Sequence, residues 1–143
     1  MNLNRAKTFA IASASALFLL TGTASAAILS GGTDQPGQGI TLKTRGDGSV
    51  KSAEITWKAN CNTGQKPTGS TRYTFKRSSP QGFRAGGKQV KKKKNATYTY
   101  RTSIEADAKG AGYSGTFKLK LKAVSRGKTF ARCKTGKIRW SAS

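Results

Sequence analysis

Residues 117–123 alternate without a break: Phe117, Leu119, Leu121 and Ala123 share one parity, and Lys118, Lys120 and Lys122 share the other. That is the period-two signature of a strand with one buried and one wet face. The same alternation runs through 53–61, where Ala53, Ile55, Trp57, Ala59 and Cys61 stand against Glu54, Thr56, Lys58 and Asn60. Shorter alternating or β-branched and aromatic runs cover 40–44, 71–75, 96–106 and 129–134, compositions that fit a pleated surface. Between them lie turn clusters, Arg45-Gly46-Asp47-Gly48-Ser49 and Ser125-Arg126-Gly127-Lys128 among them, where glycine permits positive φ. Cys133 carries the inward parity of its strand, whereas Ile138 and Trp140 carry the opposite one. A bulge or bend is therefore expected at Thr135-Gly136.

About seven short strands with turn signals and no helical periodicity predict an all-β chain. The expected form is a small antiparallel two-sheet sandwich, Ig-like in architecture, with a small barrel as the alternative. Residues 27–39 are rich in glycine, proline and glutamine and read as an irregular lead-in to a β-sandwich domain over 40–143. Lys91, Lys92, Lys93 and Lys94 follow one another. No core accepts such a run, so it belongs on a loop or hairpin tip.

Residues 1–26 read differently. Arg5 and Lys7 precede an apolar run over 9–20, and Ala24-Ser25-Ala26 closes it with the small-x-small pattern of a secretory cleavage site. Ala27 is the expected first residue of the exported chain, which carries no second long apolar run and so no expected membrane span. Without residues 1–26 the chain keeps 117 of its 143 residues, and the loss of two basic residues takes the formal charge from +22 to +20.

In an exported chain of this size, two cysteines imply a disulfide. Cys61 is expected to pair with Cys133, with Trp57 and Trp140 packed around the bridge. Neither redox nor metal chemistry is favoured, because there is no Cys-x-x-Cys and no histidine. Catalysis has little to draw on. The serines lack a histidine base, and the only carboxylates are Asp34, Asp47, Glu54, Glu105 and Asp107, so no catalytic residue, cofactor or metal ligand is expected. Glu105 and Asp107 share a strand face, yet read as solvated acids near a turn rather than as a glycosidase pair. Arg45-Gly46-Asp47 is a tripeptide that adhesion receptors read, and it is also what a tight turn wants.

Charge carries the functional expectation. A net +20 exceeds the magnitude of about 2 to 8 that keeps a small domain soluble, and its self-repulsion is relieved when a polyanion binds. Lys118, Lys120 and Lys122 should form an outward row about 7 Å apart, flanked by Arg132, Lys134, Lys137 and Arg139, with Lys91, Lys92, Lys93 and Lys94 on their loop. The expected partners are anionic polymers, either extracellular nucleic acid or an anionic cell-wall polymer, bound without sequence preference. Tyr73, Tyr98 and Tyr100 are either sheet packing or platforms for stacked bases. The competing expectation is a structural or cell-surface protein without a specific ligand.

The order Ser30-Gly-Gly-Thr33, Ile40-Thr-Leu42, Gly46-Asp-Gly-Ser-Val50, Ala59-Asn-Cys61, Gly82-Phe83, Tyr113-Ser-Gly-Thr-Phe117 and Cys133-Lys-Thr-Gly-Lys-Ile-Arg-Trp140-Ser-Ala142 resembles a group of small secreted, disulfide-linked β-sandwich proteins of unassigned function, common in actinobacteria. The closing Cys133-x-Thr-Gly-x-x-x-Trp-x-Ala142 is its most specific part. The resemblance implies an exported sandwich with no catalytic motif to carry over. Gln81 stands where that group carries an aspartate before Gly-Phe.

Overall fold

The computed structural model describes residues 25–143. The signal segment expected over 1–26 thus falls almost wholly outside the described residues. Among them the chain is all strand and turn, in the order β1 (Ile28–Gly32), β2 (Gly39–Thr44), β3 (Val50–Lys58), β4 (Asn60–Cys61), β5 (Thr68–Thr74), β6 (Gly82–Lys93), β7 (Ala96–Lys109), β8 (Gly112–Ser125), β9 (Lys128–Lys134) and β10 (Ile138–Ala142). β1, β2, β3 and β5 form one antiparallel sheet; β4, β9, β8, β7 and β6 form the other, which β10 joins by pairing with β8.

The core lies between them, as alternation requires. Ile40, Leu42, Val50, Ala53, Ile55 and Trp57 of the smaller sheet face Phe83, Ile104, Phe117, Leu119, Ile138 and Trp140 of the larger. The fold is a sandwich rather than a closed barrel. On one side β1 reaches β10 through a bridge between Thr33 and Trp140 and a reciprocal pair of hydrogen bonds between Ser30 and Ser143. Gly31 permits that approach, since a Cβ there would stand 1.7 Å from the carbonyl oxygen of Ser141. On the other side β5 pairs only with β3, and β6 only with β7.

Several expectations change. Residues 28–32, read as an irregular lead-in, form β1, because a terminus is ordered when a ladder and a side chain hold it: β2 supplies the ladder, and Ala27 N donates to Thr44 Oγ1 at 3.0 Å. The alternating run over 53–61, expected as one strand, breaks at Ala59, where the chain leaves the smaller sheet for the larger. The disulfide is consequently a pairing of directly opposed residues on neighbouring strands of one sheet, Cys61 on β4 and Cys133 on β9. Trp140 is not beside it. Trp140 stands opposite Gly115 while Cys133 stands opposite Leu121, which at a rise of about 3.3 Å per residue separates them by about 20 Å along β8. Trp140 stacks instead on Phe83 at 6.2 Å.

The parity change predicted at Thr135-Gly136 is a bulge. β9 and β10 follow one edge of β8, and between the pairs Lys120–Lys134 and Phe117–Ile138 the residues 135–137 oppose only 118 and 119. Gly136 takes φ 69°, and Thr135 Oγ1 accepts from the Leu119 N–H at 2.9 Å. The extra residue returns Ile138 and Trp140 to the core.

Candidate polyanion-binding face

Three hairpins set the outer face of the larger sheet. A two-residue turn at Lys94 and Asn95 joins β6 to β7, fixing Lys88 opposite Arg101. β7 and β8 then place Arg101 opposite Lys120, and β8 and β9 place Lys120 opposite Lys134. Strand alternation sends all four side chains to solvent. The result is a continuous row, Lys88–Arg101–Lys120–Lys134, crossing four adjacent strands at a spacing of about 4.8 Å. One step along, Lys122 stands opposite Arg132, and one step the other way lies Lys118, opposite Ser103.

A hollow of about 780 Å³ opens on this face, with Lys88, Arg101, Lys120, Lys122, Arg132 and Lys134 in its lining and no carboxylate. Asn62 holds the rim, accepting from the Arg132 N–H at 3.0 Å through Oδ1. The acids sit elsewhere. Glu105 is opposite Arg84 and Asp107 opposite Gly82, both exposed at the far end of β7. Asp34 accepts from Arg139 N at 3.1 Å.

The expected residues divide between two faces. Lys118, Lys120, Lys122, Arg132 and Lys134 share the outer face; Arg139, opposite Thr116, lies toward its acidic end, and Lys137 sits in the bulge. The lysine run does not act as one loop. Lys91, Lys92 and Lys93 end β6 and only Lys94 is in the turn. Alternation points Lys92 outward, opposite Thr97, and Lys91 and Lys93 to the other side, opposite Tyr98 and Ala96. There the Lys91 ammonium lies 5.4 Å from the ring centre of Tyr100, and that of Lys93 5.6 Å from Tyr98. Those tyrosine faces are covered by cations rather than open for stacking. Tyr73, in the other sheet, packs near Phe75 at 6.4 Å.

In Arg45-Gly46-Asp47 the arginine is engaged within the fold, while Gly46 and Asp47 are exposed on the turn. The Arg45 guanidinium donates to the carbonyl oxygens of Val50 at 3.0 Å, of Lys76 at 3.3 Å and of Phe75. Asp47 accepts from the Ser49 N–H and hydroxyl, which hold its carboxyl below the usual carboxylate range. Tyr113 Oη ties this turn to the next, 2.7 Å from Gly48 O and 2.9 Å from Pro80 O.

Among the described residues no group of three or more Cys, Asp or Glu side chains is placed to hold a metal ion, and no helix is long and apolar enough to cross a membrane. Fold and face together define a disulfide-bonded β-sandwich with one densely cationic sheet. Comparison with protein families, curated proteins and solved structures gives no match.

Sequence reasoning missed Lys88 and Arg101. Neither stands in an alternating basic run, and their part in the row depends on the hairpin register. The signal was the turn itself: once Lys94 and Asn95 close the hairpin, Lys88 must face Arg101.

Proposed function

We propose that this protein is exported and binds anionic polymers, extracellular nucleic acid or an anionic wall polymer, on the outer face of its larger sheet without sequence preference. The observation that carries the reading is the row Lys88–Arg101–Lys120–Lys134. Like charges directly opposite one another on neighbouring strands destabilise a sheet, and here no carboxylate lies within the row to offset them. A bound polyanion turns that repulsion into attraction and releases its own counterions. The disulfide accords with an oxidising compartment, and the pattern at Ala24-Ser25-Ala26 with export.

The test is retention on immobilised heparin and duplex DNA across salt concentrations. Engagement of four to six cations predicts a slope of log affinity against log salt of about −4 to −5 on duplex DNA. Replacing Lys118, Lys120 and Lys122 with glutamine should flatten it by up to about 3 with the fold intact. The pair Lys91→Gln and Lys93→Gln should flatten it less, because those side chains leave the sheet on the other side. Binding that ignores salt, or survives loss of the whole row, would favour a structural protein without a specific ligand.

A further inference from the structure

The two long sides of the sandwich are unequal. β1 and β10 zip one side together, whereas the other presents two free strand edges, those of β5 and β6. Between these edges runs a cleft of about 720 Å³, lined along 68–73 of β5 and 86–89 of β6. Its lining includes the edge of the buried Trp57 indole, against which Gly69 packs so closely that a Cβ there would come within 2.7 Å of the ring. Gly87 contributes no side chain, and a Cβ there would meet nothing within 4 Å. Arg72, Lys88 and Lys91 line the cleft, and no carboxylate does.

We infer that this cleft takes an extended acidic peptide segment of a partner protein, which adds as a strand to β6. Three observations select that occupant. A free edge offers main-chain N–H and C=O groups at strand spacing, which an extended peptide complements. The cationic lining selects acidic side chains on the incoming strand. The gap at Gly87 receives an inward side chain of that strand, which would otherwise meet a side chain of β6. A second copy of this chain is the wrong partner, since its own β6 would bring Lys88, Lys91, Lys92 and Lys93 against the same residues. The cleft shares Lys88 with the outer row but is otherwise built from different residues, and it extends the function beyond polymer binding.

The probe is a capped heptapeptide alternating glutamate and valine, with binding read from Trp57 emission in a Trp140→Phe background. Two controls keep its charge but carry N-methyl groups on every valine or on every glutamate. The peptide should bind, and at least one methylated form should bind tenfold or more weakly. Gly87→Val should weaken binding at least tenfold while leaving the circular dichroism, the melting temperature and retention on DNA unchanged. No peptide binding, equal binding by both methylated forms, unweakened binding to Gly87→Val, or preference for a hexuronate oligomer of equal charge would each overturn the inference.

Discussion

Trp57 and Trp140 are both buried, but their indole N–H groups meet different fates. Trp57 Nε1 donates to Thr71 Oγ1 at 3.0 Å, whereas Trp140 Nε1 is buried without a partner. A buried unpaired donor costs stability and a made hydrogen bond adds to it, so the two phenylalanine replacements should differ. Trp57→Phe is expected to destabilise by about 1 to 3 kcal/mol more than Trp140→Phe in chemical denaturation; equal losses would mean that packing alone decides. Tyr73 and Tyr113 make the corresponding point for titration. Burial raises the hydroxyl pKa of each above the ordinary tyrosine value, the Asp47 charge adding to the effect at Tyr113. A raised pKa means that folding favours the protonated form, so this contribution is complete below the unfolded value near 10 and lost as pH rises through the folded value. Tyrosinate absorbance should show both hydroxyls ionising late, and Tyr113→Phe should remove one of the late steps.

At the level of elements, the hairpin turns decide most. Arg126 is the one non-glycine residue at positive φ among the described residues, at 49°, and Gly127 follows at 76°. Together they form the two-residue turn with left-handed conformation at both positions that suits the twist of a hairpin. Asparagine tolerates that conformation better than arginine. Arg126→Asn should therefore stabilise the protein by up to about 1 kcal/mol, measured as a rise in melting temperature; a fall would show that the Arg126 side chain makes a compensating interaction. The strands themselves were largely legible. The alternation at 117–123 gave β8 its faces, and the parity conflict between Cys133 and Ile138 located the bulge. β6 was missed because Gly86, Gly87, Lys88 and Gln89 alternate in no hydrophobic sense, an edge strand over a cleft having little to bury. β1 was missed for a similar reason, since Gly31 serves close packing against β10 rather than a turn.

For the whole molecule the staple matters most. Cys61 and Cys133 are 72 residues apart, and closing such a loop stabilises by roughly 4 kcal/mol in the chain-entropy model. The bridge pins β4, the short strand beyond the sheet-switching corner at Ala59, to the edge of the larger sheet. Replacing both cysteines with serine should lower stability by several kcal/mol and free this corner first. Hydrogen exchange should then show the amides of Cys61 and Asn62, bonded to Gln65 O and Arg132 O, losing protection before those of β7 and β8. Uniform loss would mean that the bridge acts only on the unfolded chain.

Sequence alone determined the strand character and the inward faces, which depend on residues next or next but one in the chain, and the disulfide partners and the excess of positive charge, which follow from composition in a chain with two cysteines. It also supplied the expectation of export, which rests on residues 1–26. Tertiary structure decided how those pieces combine. The row Lys88–Arg101–Lys120–Lys134 joins residues as far apart as β6 and β9 and exists only through three hairpin registers. The same alternation that gathers this row splits Lys91 and Lys93 from Lys92. The cleft beside Gly87 lies between edges belonging to different sheets. Period-two patterning fixes which way a side chain points relative to its own strand; which strand lies alongside is settled by turns, bulges and the approach of distant segments.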